Sequence, residues 1–466
     1  NMLTCCYKKL NLTRWLLCLT LASTPLYVVR FTISPIPLIH EYPTTLLEVL
    51  IFLTLVSWAL DKFLTRNDVA DASYQHVNIL ICCKRFLPVF FFGLAGIISI
   101  FISPDKYGAL GSFKAYIAEP ILIYLVVKDT IKTRNALLEI LYSLLISGLW
   151  LSLLASFQGL FGWFVITPHE MLENRAHGVY NTANALGLYL GPLVLLAMST
   201  LFNPLSFVSR SDNVKSKNDI THLRPQCSYV KLISRKLLPT ALIFLAILAI
   251  FLSKSAGALF GLVVCVVFFI GVTFSLKSGS GVGENNETKG LFLGSSKKIL
   301  QKFASGLLTS TFLGVFLLVF LIVPRVVPSA TTPPSRVSEN TITIRLCLWQ
   351  GTRNMLLKKP IFGSGLSGFK EIYKDFRTCD DELLEYPHNI FLNFWSEMGI
   401  LGLVSFLWMC WRWIRKSSVV SRQLSISFLA VLIYWLIHGL VDVPYFKNDL
   451  ALEFWVLLAL LENISS

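Results

Sequence analysis

Long apolar runs recur along this chain, each near the length that crosses about 30 Å of hydrocarbon, with short polar or basic stretches between them. The pattern predicts about twelve spans, near residues 14–30, 44–62, 86–103, 111–128, 136–163, 183–202, 237–253, 256–275, 304–324, 389–411, 423–440 and 449–463. The expected fold class is an all-α polytopic membrane protein with one large extracytoplasmic loop between the ninth and tenth helices. Residues 1–324 would hold the first nine spans, with basic cytoplasmic loops at 203–236 and 276–303. Residues 325–388 would form the large loop, and 389–466 the last three spans.

Charge sets the expected orientation. Of 41 Lys and Arg residues, 26 fall in alternate loops beginning with the N-terminus, whereas the short loops of the other side hold six. Long translocated segments count little in the positive-inside rule, so both termini are expected to be cytoplasmic. The first apolar run follows Lys8, Lys9 and Arg14 and reads as a signal-anchor helix. Composition agrees: 54% of residues are hydrophobic and 15% charged, against about 25% charged in soluble domains. The net charge of +14 lies in loops between apolar runs, without an RNA-binding or helix-turn-helix signature, so nucleic acid is not an expected partner and membrane lipids are.

Inside the large loop, Ile342, Arg345, Trp349, Arg353, Met355 and Leu356 fall at helical spacing, predicting an amphipathic helix over 341–359 that Pro360 ends. It would lie at the outer membrane surface or cap a cavity. Arg345 and Arg353 sit about 80° apart on it, so both can face one cavity. Guanidinium forms bidentate bonds to phosphate oxygens, although lipid headgroups or interfacial acids would satisfy these arginines equally well. Arg175 precedes Gly178 and Asn184 before the sixth span, and Lys114 and Glu119 are charges within an apolar run. Lys114 can reach a phosphate or snorkel to the interface. His388 and Asn389 stand at the mouth of the tenth span, which carries Gly399 and Gly402. Glu397 falls on the opposite helical face from His388, while His438, Asp442 and Lys447 near the eleventh span suit packing or capping as well as function. None of the ten cysteines shows metal-ligand spacing; Cys347 and Cys379 share the large loop, where a disulfide is one option. No P-loop, Rossmann fingerprint or HExxH motif is present.

His388-Asn389, then nine residues, Gly399-x-x-Gly402, resembles the signature of the bacterial O-antigen ligase family. Arg175-x-x-Gly178…Asn184 is similar to the family's Arg-x-x-Gly…Asn element, and Ser255-Ala256-Gly257-Ala258 to a Ser-Arg-Gly-Ala turn. Arg345…Trp349…Pro360-Ile361-Phe362-Gly363-Ser364-Gly365 is similar to the segment before the histidine, so the resemblance spans roughly 170–440. One departure is Ala256, where many members carry arginine; Lys254 stands two residues earlier.

The resemblance implies a GT-C-like glycosyltransferase in a bacterial inner membrane. It would move a glycan from a polyprenyl-diphosphate carrier to a hydroxyl of a glycan or lipid-glycan acceptor, with inversion and with neither metal nor cofactor. Arg175, Arg345, Arg353, Lys114 and Lys254 would contact diphosphate or substrate, His388 would act as base with Asn389 in support, and Gly178, Asn184, Gly399 and Gly402 would be structural. Polysaccharide polymerases share the scaffold, and a lipid-linked glycan transporter or a non-catalytic scaffold would also suit many spans with cationic loops.

Cysteine-accessibility labelling checks the orientation. Positions near Arg345 and His388 are expected to label from outside, and positions near Lys215 and Lys289 only after the membrane is opened; the reverse order overturns the topology.

Overall fold

The computed structural model describes residues 12–33, 42–66, 79–167, 170, 172–202, 228–278, 341–379, 383–418 and 422–465. The expected ninth span at 304–324, and most of the two basic loops, lie outside them. Helices dominate. Among the described residues, four are long and apolar enough to cross a membrane: Lys106–Thr130, Asn135–Phe161, Ala183–Leu201 and Ile390–Ser417. Shorter apolar helices occupy Leu12–Ala22, Phe86–Ile102, Lys236–Leu252, Ala256–Val272 and Ser425–His438.

The chain forms two compact units. The first comprises Asn1–His76, Pro120–Leu259 and Asn448–Ser466; the second comprises Val77–Glu119 and Phe260–Lys447.

In the first unit, α1 (Leu12–Ala22) packs on α2 (Leu46–Arg66). Their buried hydroxyls pair, Thr13 with Ser57 at 2.9 Å and Thr20 with Thr54 at 2.9 Å, the small polar contacts that let apolar helices approach closely. The expected span at 14–30 stops early because Pro25 enters a 3-10 turn, Thr24–Val28. A short antiparallel hairpin follows, β1 (Arg30–Ile33) with β2 (Tyr42–Thr45), a departure from the all-α expectation. Its β-branched residues suit strands, but the pattern is too brief to separate from the apolar run before it. The core is built from α6 (Arg134–Phe161), α7 (Ala183–Phe202) and α8 (Ser228–Leu252), closed by α14 (Asn448–Ile464). Helix α8 begins at Ser228, within the stretch expected to be a loop. Helix α5 (Glu119–Thr130) is tied to α14 by Glu462, which accepts bonds from Tyr124 and Lys128, each at 2.7 Å.

In the second unit, α3 (Ile79–Ile102) lies along α12 (Ile390–Ser417), which also contacts α10 (Thr341–Lys358) and α13 (Arg422–His438). Phe394 joins these pieces, stacking on Phe406 at 4.1 Å between centroids and meeting Phe92 and Tyr445 edge-on or tilted. Helix α10 is packed rather than merely surface-bound: Leu348, Met355 and Leu356 share an apolar core with Phe369, Tyr373 and Leu392. Cys347 and Cys379 form a disulfide. The run expected at 111–128 is interrupted: α4 (Lys106–Phe113) leads through a π-helical turn, Lys114–Ala118, into α5. That turn's bond, from the Glu119 N–H to the Lys114 carbonyl, sets residues five apart nearly one turn apart, not the 140° of an α-helix.

Helix α12 is broken at Gly399 (φ 66°, ψ −174°), a conformation open essentially to glycine. The break frees the Ser396 carbonyl and the Ile400 N–H, and the 361–364 turn takes both. Ser364 donates its N–H to Ser396 at 2.7 Å, and Ile400 donates to the Ile361 carbonyl at 2.9 Å. Gly363 fits because a Cβ there would lie 2.3 Å from the Ser396 carbonyl oxygen.

A Cβ at Gly399 would lie 2.3 Å from the Ile361 oxygen, so Gly399→Ala meets both strain and collision. We expect it to lose about 2–4 kcal/mol, read as a lower melting temperature in detergent. Gly93→Ala, in α3 with open space around the new methyl, is expected to be neutral or stabilising.

Candidate functional site

The first unit holds Arg175, Gly178, Asn184 and Lys254. Gln158 of α6 grips the turn after Arg175: its carbonyl oxygen accepts the N–H groups of His177 and Gly178, and its amide donates to the Gly178 carbonyl at 2.6 Å. Gly178 has φ 63°, and a side chain there would strike Leu151. Arg175 donates its Nε–H to the Ser253 carbonyl at 2.9 Å and one terminal nitrogen to Asn184 Oδ1 at 3.1 Å. Its other terminal nitrogen faces Glu173 at 3.3 Å and Glu170 at 3.5 Å. Lys254, in the left-handed region at φ 52°, donates Nζ to the Glu173 carbonyl at 2.9 Å. The Arg-x-x-Gly…Asn motif is thus a clamp joining the 175–184 turn to the end of α8. Gln158 and Glu170, which accepts the Ala183 N–H at the start of α7, carried no sequence signal.

The second unit holds Lys114, Arg345, Arg353, His388, Asn389, Gly399 and Gly402. Asn389 is the N-cap of α12: its Oδ1 accepts the N–H groups of Phe391 and Leu392, at 3.0 and 3.1 Å. Its amide donates to the Leu440 carbonyl at 3.1 Å, and the Ile390 N–H donates to Gly439 at 2.7 Å. These bonds dock the 439–443 loop on the mouth of α12 and bring Asp442 to His388, 3.4 Å from Oδ1 to Nδ1. That separation is an ion-pair contact whose alignment falls short of a formed hydrogen bond, and catalytic bonds often tighten only when substrate is bound.

His388 adopts φ 46°, uncommon for a residue with a side chain and characteristic of positions held by their surroundings. Trp349 holds the preceding carbonyl, Pro387, at 2.9 Å, and the Tyr386 ring lies 4.5 Å from the imidazole. Burial would raise the Asp442 carboxyl, but the His388 imidazole beside it, then His438 and Lys447, hold it well below the usual carboxylate range. Burial and the Asp442 and Tyr116 charges push the Tyr386 phenol up, against the opposing Arg345 guanidinium, so it stays protonated. Arg345 therefore acts electrostatically on Tyr386, as Asp442 does. Arg353 lies two turns further along α10, half-buried, and Lys114 lies in the π turn. Glu397, on the far side of α12, accepts the Ser367 N–H at 2.6 Å and does not approach the imidazole. Gly402 lies against the Met398 side chain. Among the described residues, no group of three or more His, Cys, Asp or Glu is arranged to hold a metal.

A family model described as O-antigen ligase matches residues 241–407. "Putative polysaccharide ligase RC0486" of Rickettsia conorii is 29% identical over 106 residues, 20% of this chain and 25% of that protein. "Putative polysaccharide ligase RT0347" of Rickettsia typhi is 27% identical over 126 residues, 24% of this chain and 29% of that protein. The chain thus matches little more than a quarter of these relatives' length. Family match and relatives together show the likeness to the O-antigen ligase family that the motifs carry.

Proposed function

We propose that the chain is a membrane glycosyltransferase that moves a glycan from a polyprenyl-diphosphate carrier to an acceptor hydroxyl on the extracytoplasmic face. The observation that carries this reading is the contact at the mouth of α12 between His388, which lies inside the segment of O-antigen ligase likeness, and Asp442, which lies beyond it. With Nδ1 turned to Asp442, the imidazole offers Nε2 to an acceptor. The acceptor hydroxyl gives its proton to Nε2 while its oxygen attacks the anomeric carbon. The bond from that carbon to the diphosphate breaks, its electron pair leaves on the phosphate oxygen, and the anomeric centre inverts. Imidazole suits the task because it accepts protons near neutral pH.

Arg345 supplies positive charge for the leaving diphosphate, with Arg353 and Lys114 as further cations of the same unit, so the step needs no metal. Asn389 and Asp442 are positioning residues. Asn389 fixes the cap and the 439–443 loop, and Asp442 holds the ring. Arg175 and Lys254 are proposed as anion-binding residues of the first unit.

The test is transfer by purified protein from a polyprenyl-diphosphate glycan to lipid-glycan, free glycan or protein acceptors, with and without chelator. His388→Ala is expected to lose about 10²–10⁴-fold in rate while keeping its melting temperature; wild-type transfer by that variant would falsify the assignment. Arg345→Ala is expected to cost roughly tenfold to a hundredfold, with Lys restoring only part of the loss because a point charge lacks the bidentate fork.

The Asp442 carboxyl keeps its charge across the working range of such an assay. A depressed carboxyl contributes stability above the ordinary Asp range and loses it only as pH falls through its lowered value, so Asp442 stays ionised near neutrality. Asp442→Asn keeps the side chain's size and removes its charge, so it is expected to lower the rate while keeping the melting temperature, and Asp442→Glu to restore part of it. Wild-type transfer by Asp442→Asn overturns the positioning role.

A further inference from the structure

The end of α10 does not share the burial of its middle. Leu357, Lys358, Lys359, Pro360, Ile361 and Phe362 are all exposed, with Leu357 at 55%, Ile361 at 60% and Phe362 at 49%. An isolated apolar residue on a surface needs no explanation, but three beside two adjacent lysines at a rigid corner do.

The corner is rigid because both of its sides are pinned to apolar helices. The 361–364 turn completes the broken backbone of α12 at Ser396 and Ile400. Gly365 (φ 80°) sits so close to the end of α3 that a Cβ would lie 2.4 Å from the Ser103 nitrogen, and Gly368 meets Pro104. Trp395 of α12 donates its indole N–H to the Pro360 carbonyl at 2.7 Å.

Those attachments fix its depth. Helix α3 ends at Ile102 with Phe101 exposed at 74%. On α12 the exposed positions begin at Ile400, the residue bonded to Ile361, and continue at Val404 and Trp411; from 390 to 399 none is exposed. Helix α12 has 28 residues, about 42 Å at 1.5 Å each, against about 30 Å of hydrocarbon. The stretch past the break, 400–417, is about 27 Å long and comes close to one span, so most of the first ten residues are surplus. The break at Gly399, the end of α3 and the corner thus share one level, where lipid-facing surface gives way to covered surface.

We propose that the corner at residues 357–362 is a membrane-surface anchor for anionic phospholipid. Leu357, Ile361 and Phe362 enter the edge of the hydrocarbon, and Lys358 and Lys359 meet headgroup phosphates. Apolar side chains beside lysines are the chemistry of an interfacial contact, and aromatic and indole groups favour that depth. The anchor lifts His388 about 15 Å along α12 from the hydrocarbon edge, ten residues at 1.5 Å each. It does not depend on the chemistry assigned to His388.

The experiment introduces benzoylphenylalanine at Ile361 and, separately, at Phe362 in the full chain, held in nanodiscs of phosphatidylcholine with or without phosphatidylglycerol. After irradiation, intact-mass analysis is expected to show lipid adducts at both positions, with phosphatidylglycerol captured severalfold above its share. Lys358→Glu with Lys359→Glu is expected to abolish that preference, keep the phosphatidylcholine adducts and leave the melting temperature unchanged. Absence of lipid adducts at both positions overturns the anchor, as does capture of a protein rather than lipid in native membranes. A phosphatidylglycerol preference that survives both lysine changes overturns the role of the lysines.

Discussion

A backbone N–H or carbonyl that loses its helical partner in an apolar surrounding costs several kcal/mol unless another group takes its place. Helix α12 breaks at Gly399, and the turn from Ile361 to Ser364 carries the one donor and one acceptor that the break requires. Much of the second unit follows from that exchange. It calls for glycine at 363 and 399, where a side chain would collide with the opposing backbone. It fixes the end of α10 against α12, and through Gly365 against α3. The signature glycine downstream of the histidine thus marks a break that has to be mended from outside, not simply a close-packed helix.

The same rule explains where polar side chains appear. Within the first unit, buried groups are paired with partners distant in sequence: Tyr180 donates to Asp449 at 2.7 Å, and Glu462 accepts from Tyr124 and Lys128. In the second unit the His388 mouth is tied on three sides by Trp349 to Pro387, Asn389 to Leu440, and Ile390 to Gly439. A group meant to move a proton gains from such a frame, because a small displacement of reacting atoms costs far more than any one of these bonds contributes.

Apolar length and charge asymmetry made the helical class and the membrane setting legible, and Pro360 made the end of α10 legible. The motif containing His388, Asn389, Gly399 and Gly402 was legible as a pattern but not as four different tasks. Asn389 reads as a chemical partner of the histidine, yet its oxygen caps α12 and its amide holds Leu440. Asp442 read as packing or capping as readily as function, because its approach to His388 arises from the docking of a loop far along the chain, which no local spacing encodes. The relation of Lys114 to Glu119 was not legible, because a π turn brings residues five apart nearly into register and spacing does not reveal one. The hairpin of β1 and β2 was hidden because its residues continue an apolar run.

Arg175 shows how far a motif's likeness can be taken toward a role. Its bonds to the Ser253 carbonyl and Asn184 fix the turn, and an anion that displaced them would have to rebuild that turn. Its remaining nitrogen faces two carboxylates, the buried Glu170 and Glu173, whose side chain is 47% exposed. The exposed Glu173 pair is worth at most about 1 kcal/mol. A phosphate oxygen at that nitrogen would replace the Glu173 contact alone, beside Glu170, and leave the clamp intact. Lys254, held to the Glu173 carbonyl by one of its three N–H groups, stands beside the same residue with donors to spare. Structural and anion-binding roles for Arg175 do not compete, because they use different edges of one guanidinium.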